Sequence, residues 1–370
     1  MKFVYFTHSL ASCWNHGNAH FLRGVIRELI AAGHEVAVYE PEGSWSRSNL
    51  LADAGEDALA AYAAAYPELK SQTYSRDIDL ARATDSADVA IVHEWNEEWV
   101  VAALGRLRKD RSAFQLLFHD THHRAVSDPA AMQRYDLSGY DGVLAFGEVL
   151  ADVYREWGWG DRAFAWHEAA DIRHFHPPAH EHERERIAWI GNWGDGERSA
   201  ELQHFLLEPA RAAGLPLDIY GVRYPAGALD LIRNAGAHYR GFLPNARAPE
   251  VFARHIATVH VPRRFYVTSL AGIPTIRVFE ALACGIPLVC SPWEDCEHLF
   301  RPGEDYLVAR DGEAMTKHLR ALAHDRELRQ ELAANGLARI RARHTCAHRV
   351  KELVSIVTRL KGARQLEAVA

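Results

Sequence analysis

Cysteine is scarce and badly placed for crosslinking. The five present, Cys13, Cys284, Cys290, Cys296 and Cys346, are odd in number and form no CxxC pair. That excludes a disulfide framework and a zinc knuckle, and five buried thiols are expected. No apolar run approaches the ~20 residues a membrane-spanning helix needs. The opening Met1-Lys2-Phe3-Val4-Tyr5-Phe6 is too short for a secretory core, so a cytoplasmic chain without a transmembrane segment is expected. Positive charge is not in surplus either. A formal net charge of −7 gives no broad basic field, so nucleic acid is not an expected partner and small-molecule chemistry is the better reading. No repeat of about 20–50 residues marks a solenoid.

What is present is the composition of a soluble globular protein, with 48% apolar and 25% charged residues, which excludes disordered and fibrous classes. At roughly 150 residues per domain, the length of 370 residues predicts two domains. Lys2 to Thr7 reads as a buried strand, and Asn18 to Ala32 repeats Phe21, Leu22, Val25, Ile26, Leu29 and Ile30 at helical spacing before Gly33-His34 stops it. Glu35 to Tyr39 completes a strand–helix–strand crossover, as a parallel sheet requires. Further strands are predicted at Val89–His93, Phe114–His119 and Gly142–Phe146, with an Ala-rich helix over Leu50–Tyr66.

Arg173 to Glu185 combines Pro-Pro with dense charge and no periodicity, the mark of an exposed connection on which two domains can close. The strand rhythm restarts at Ile187–Gly191, Leu217–Gly221, Ala257–Val261 and Pro287–Cys290, and Asp325 to Lys361 reads as helix with a break at His344-Thr345.

The run Gly272-Ile273-Pro274-Thr275-Ile276-Arg277-Val278-Phe279-Glu280-Ala281-Leu282-Ala283-Cys284-Gly285-Ile286-Pro287 resembles the donor-site motif of retaining family 4-like GT-B glycosyltransferases, and more narrowly their CgeB-like branch. Gly17-Asn18, Gly33-His34-Glu35-Val36, Asp171 to Pro177 and His344 to Arg349 agree in order, so the resemblance spans nearly the whole chain. It implies an α/β fold of two Rossmann-like domains facing across a cleft. Residues 1–175 would form the acceptor side and 186–345 the nucleotide-sugar side, with a helix over 346–370 crossing back to the first domain. The implied reaction moves a sugar from a nucleotide-sugar donor to an unidentified acceptor (a glycan, a small molecule or a protein) with retention of configuration. No cofactor and no metal are expected. His119-x-x-His122-His123 alone lacks a converging carboxylate or Cys.

A nucleotide sugar presents ribose hydroxyls, a flat base and a diphosphate, so it calls for a carboxylate, a backbone slot and positive charge. Glu280, just inside a helix, can accept both ribose hydroxyls, the role the resemblance gives it; the plain alternative is a helix-start Glu favoured by the dipole. The related enzymes carry another Glu eight positions earlier, where this chain has Gly272. Ala271, Gly272 and Ile273 are therefore expected to offer backbone N–H groups instead.

Arg198 and Arg277 are the expected diphosphate cations, with Arg263 and Arg264 behind them. Asn192, Tyr220, Phe242 and Phe279 complete the donor set, Tyr220 and Phe242 lying in runs similar to the family's base-binding segments. In the first domain, His119 and Asp120 end a strand where open α/β sheets place ligands, and the resemblance brings a His in this region to the donor sugar. Catalysis is thus expected from His119, Asp120 and Arg198, and acceptor contact from Asn15, His16, Gly17, Asn18 and Glu94. A nucleotide-sugar epimerase and a non-catalytic scaffold on the same fold remain the alternatives.

Overall fold

The computed structural model describes residues 1–110, 114–179, 184–194 and 196–369. The chain divides into two compact units, Met1–Glu168 with the tail from Cys346, and Ala169–Thr345. The break falls ahead of the Pro-Pro stretch, because Ala170 bridges to Thr345 and Phe175 is fully buried in the second unit. His180 to Glu183, within the expected connection, lie outside the described residues.

In the first unit, seven strands among the described residues form one sheet: β1 Lys2–Phe6, β2 Glu35–Pro41, β3 Gln72–Tyr74, β4 Val89–His93, β5 Gln115–Asp120, β6 Gly142–Ala145 and β7 Ala163–Ala165. Their order is β3-β2-β1-β4-β5-β6-β7 and every pairing is parallel. A sheet covered on both faces needs apolar side chains on both sides of each strand, hence the unbroken Val-Ala-Ile-Val of β4. The helix Ala19–Ala31 buries Phe21, Leu22, Val25, Ile26 and Leu29. The tail helix Cys346–Val369 packs in this same unit, burying Val350, Leu353 and Val357, and Trp166 Nε1 donates to the Arg349 carbonyl at 2.9 Å.

The second unit repeats the winding with β8 Arg186–Ile190, β9 Leu217–Tyr220, β10 His238–Gly241, β11 His255–His260, β12 Leu288–Cys290 and β13 Leu307–Val308, in the order β10-β9-β8-β11-β12-β13. In each sheet the chain steps outward from its first strand and then returns to that strand's other side. The crevice opened beyond the strand ends at this reversal is where such sheets bind ligands. It lies between β1 and β4 in one unit and between β8 and β11 in the other.

Two sequence expectations change. The Ala-rich stretch is two helices, Trp45–Ala54 and Asp57–Ala65, separated at Gly55. The five thiols are not all buried: Cys296 is exposed and Cys13 half-buried.

The ends of β8 and β9 come together through glycines. Gly221 has φ +150°, and a Cβ built on it would lie 2.0 Å from the Gly191 carbonyl oxygen. Gly221→Ala is therefore expected to destabilise the fold by about 2 kcal/mol or more, read as a fall in Tm; an unchanged Tm would show that the two strand ends are not locked.

Candidate functional site

Beyond the strand ends of the second unit, Arg198 is almost fully buried. One guanidinium nitrogen donates to the Val261 carbonyl at 2.7 Å and the other to the Asn192 carbonyl. Its Cζ lies 5.3 Å from the centre of the Trp189 ring. Arg198 thus joins the loop after β8 to the end of β11, across the reversal. Burial, and then the charge of Arg263, lowers its pKa to about 10, so it remains a cation at neutral pH. Arg263 and Arg264 are already matched by carboxylates, at 2.5 Å to Glu197 and 2.8 Å to Glu201. Asn192 Oδ1 accepts from the Val222 N–H at 3.0 Å, and Tyr220 stands half-buried at the end of β9.

Glu280 lies in the second turn of the helix Ile276–Ala283 and is fully buried. Its Oε1 accepts from Asn245 Nδ2 at 2.6 Å and its Oε2 from Arg277 Nη1. Asn245 belongs to the loop that carries Phe242 past β10, so this pair ties the loop to the helix. Arg277 is committed to Glu280 rather than standing apart as a second free cation. Phe279 is also placed differently from expectation: its ring packs in the core against Phe300 and His344, at 5.5 and 5.9 Å. Gly272 turns the chain at φ +95°, where a Cβ would crowd Cys296 at 3.1 Å. The neighbouring Ile273 is buried and its N–H closes on the Leu270 carbonyl, while Ala271 is half-buried.

His260, which the sequence offered only as a strand end, sits under this site. Its Nε2 meets the Thr275 hydroxyl at 3.0 Å at the start of the helix. Burial, then the nearby Arg198 and Arg277, drives its pKa down to about 3, so the ring is neutral.

In the first unit the expected catalytic pair is buried. His119 lies between Trp166 and Phe21, with ring centres at 4.9 and 6.1 Å, and burial lowers its pKa to about 3. Asp120 accepts from the Tyr154 hydroxyl at 2.7 Å and the His122 N–H at 3.0 Å; burial raises its pKa to about 6. Glu94, expected at the acceptor, is instead buried beside Asp120. Burial first, then the Asp120 charge, pushes its pKa well up, against the pull of Arg124 at 3.8 Å. Two carboxyl groups this close in a dry site cannot both ionise readily.

Beside them runs a row of imidazoles meeting edge to face, His8–His16 at 5.4 Å, His16–His93 at 5.8 Å and His93–His119 at 5.6 Å. Burial pushes all four below the ordinary histidine range, His8 to about 4. Among the described residues no three His, Cys, Asp or Glu side chains converge to hold a metal ion. Asn15 takes φ +47°, Gly17 is exposed, and Asn18 Nδ2 donates to Glu168 Oε1 at 3.3 Å.

The loop after β1 is clamped by two buried charges that sequence reading passed over. Glu40, ending β2, accepts from the Ser9 hydroxyl at 2.7 Å and the Leu10 N–H at 2.8 Å. Arg23 donates to the Leu10 and Ala11 carbonyls, both at 2.9 Å. The signal was Arg23 itself, a charge set among Phe21, Leu22, Val25 and Ile26 on the buried face of its helix.

Comparison with known proteins adds the class. Residues 198–355 match the family described as glycosyl transferase-like, while no curated protein matches the chain. Among solved structures, sucrose-phosphate synthase (tll1590) from Thermosynechococcus elongatus is similar at 16% identity over 100% of both chains, TM-score 0.64. Alr3699/HepE of Anabaena, in complex with UDP and glucose, is similar at 13% identity over 97% of this chain and 99% of that one, TM-score 0.65. An alpha-glucosyltransferase in complex with UDP and a 13-mer DNA containing a HMU base is similar at 13% identity, 96% and 98% coverage and TM-score 0.70. These likenesses establish that the chain has the GT-B fold of glycosyltransferases. All but the last ten of the matched residues lie in the second unit.

The buried groups of the first unit set a pH dependence. Each imidazole has a native pKa below its unfolded value of about 6.5, so its contribution is complete above that pH and is lost as pH falls toward 4. Asp120 has the opposite sign: its native pKa of about 6 exceeds the unfolded ~3.9, so it favours the fold at low pH and opposes it as pH rises through 6. Four imidazoles outweigh the two carboxyls. Tm is expected to fall between pH 7 and 4.5, and more steeply in Asp120→Asn, which lacks the compensating proton. A flat profile, or a shallower one in the variant, would refute these assignments.

Proposed function

We propose that the protein is a glycosyltransferase whose second unit binds a nucleotide sugar and whose first unit presents the acceptor. The observation that carries this is the joint placement, on one edge of the second unit, of a buried carboxylate on a helix and a buried arginine across the strand reversal. Glu280 would take the ribose hydroxyls, exchanging part of its contact with Asn245 and Arg277. Arg198 would meet the diphosphate, with the turn at Gly272 allowing close approach. Phe242 and Tyr220 would flank the base. The match over residues 198–355 supports the reading, since it begins at Arg198 and includes Glu280. Neighbours solved with UDP make a uridine nucleotide the first donor to try.

In this reading the bond from the sugar's C1 to the diphosphate oxygen breaks, its electron pair leaving with the nucleotide. A bond from C1 to an acceptor hydroxyl oxygen forms, and the hydroxyl proton passes to the departing phosphate. The protein's part is to offset the negative charge on the leaving group and to fix the acceptor. Retention of configuration follows the resemblance to the retaining enzymes, and the setting is proposed as cytoplasmic. His119 and Asp120, being buried, would act by shaping the strand end rather than by direct attack.

A thermal-shift series over UDP-, GDP-, dTDP- and CDP-sugars tests the donor half. One nucleotide should raise Tm, by a stabilisation of about 2.7 kcal/mol at a hundredfold excess over Kd. Glu280→Gln, which keeps the shape, and Glu280→Ala should each weaken that nucleotide at least tenfold. Arg198→Met should weaken the sugar nucleotide while leaving the free nucleoside unaffected. No shift with any nucleotide would overturn the reading in favour of a scaffold, and sugar isomerisation without acceptor would overturn it in favour of an epimerase.

A further inference from the structure

The chain has ten tryptophans, and among the described residues the two in the exposed class are Trp45 and Trp95, with 47% and 40% of their surfaces open. Both stand beyond the strand ends of the first unit, Trp45 after β2 and Trp95 after β4. His8 links them. The N–H of Ser46, next to Trp45, donates to His8 Nε2 at 3.4 Å, and the His8 ring lies 6.3 Å from that of Trp95. On its other side Trp95 meets the His122 ring at 5.2 Å and carries the Arg124 guanidinium at 4.6 Å from its centre. Both indoles thus stand exposed on the edge where this fold places ligands, with the half-buried, neutral His8 imidazole against Trp95. Exposed apolar surface so placed calls for an occupant.

Charge narrows the choice. The stretches 42–56, 94–98 and 121–128 hold seven acidic residues against two arginines, and the loop 7–18 holds neither acid nor arginine. Both arginines face carboxylates, Arg47 near Glu40 and Arg124 near Glu94, each at 3.8 Å. Burial holds the His8 imidazole neutral. A phosphodiester chain would find here no unmatched cation and much repulsion, so the edge is unlike a nucleic-acid surface.

A basic polypeptide would find fewer open acids than the count suggests, because five of the seven, Glu94 among them, are engaged by their own chain. Asp53 accepts from Trp14 Nε1 at 2.5 Å, Glu97 from Trp99 Nε1, Glu98 from Arg134 at 2.7 Å, and Asp128 from the Ala131 N–H at 3.1 Å. What remains is aromatic face, the surface that the C–H faces of a sugar fit.

We infer that the acceptor is a neutral saccharide, with sugar rings laid on Trp45 and Trp95. The word acceptor rests on the transferase reading, but the binding itself does not, so it is tested on the full chain without nucleotide. The probes are tri- to hexasaccharides of glucose, galactose, mannose and N-acetylglucosamine, with a 13-mer DNA duplex and oligolysine as charged counterparts, followed by calorimetry or tryptophan fluorescence at physiological salt.

At least one oligosaccharide should saturate the protein. Its Kd should rise tenfold or more in Trp95→Ala and in Trp45→Ala and stay close to the parent value in Trp95→Phe, with Tm well above the assay temperature in all three. Failure of every oligosaccharide, unchanged binding in both alanine variants, or tighter binding of DNA or oligolysine would each overturn the inference. If nucleotide sugars still raise Tm while saccharides fail, only the acceptor class falls; if neither binds, the transferase reading falls as well.

Discussion

A carboxylate taken out of water is tolerable only when its charge is met, and Glu280 is met twice, by Asn245 and by Arg277. That one requirement fixes much of the second unit's edge. Asn245 brings with it the loop that carries Phe242, and Arg277 is held one turn below on the same helix. The start of that helix is in turn held by His260 through the Thr275 hydroxyl. Arg198 supplies the complementary element, a cation whose two described hydrogen-bond partners are backbone carbonyls on either side of the strand reversal. Backbone carbonyls orient a guanidinium without cancelling its charge, which leaves it able to attract an anion.

The two units share a winding and divide the chemistry. Each sheet runs outward from its first strand and then returns to that strand's other side, so each opens a crevice at the same topological place. Arginine and one paired carboxylate occupy it in the second unit. In the first, the corresponding edge carries neutral imidazoles, a protonatable acid pair and exposed indoles. A cation-bearing edge suits a diphosphate. An edge with exposed indoles and an excess of acids suits sugar rings better than a phosphate.

Much of the fold was legible because parallel strands buried on both faces must be apolar throughout. Val89–His93 and His255–His260 announce themselves, and Gly33-His34 and His344-Thr345 mark true helix ends. The strands β3, β7, β10 and β13 were not legible: they are the outer strands of the two sheets and are incompletely buried, so they lack the apolar run that marks even the three-residue β12, and neighbouring strands rather than their own sequence make them strands. At the candidate site the motif pointed to Glu280 and the position after the second unit's first strand pointed to Arg198, and both side chains are buried there. It could not show that Arg277 would be spent on Glu280, that Phe279 would turn into the core, or that Glu94 and Asp120 would be buried together, since each depends on contacts between residues distant in sequence. Glu40 was hidden for the same reason, its partners lying in the loop after β1, whereas Arg23 was open to detection as a charge on an apolar helix face.

The central claim is that the Glu280 carboxylate and the Arg198 guanidinium hold one nucleotide sugar. A crystal of the protein soaked with the nucleotide that stabilises it tests this most directly. The account predicts ribose hydroxyls at about 2.7–3.2 Å from the Glu280 carboxylate and the diphosphate against Arg198. A nucleotide seated elsewhere, with Glu280 still closed on Asn245 and Arg277, would contradict it.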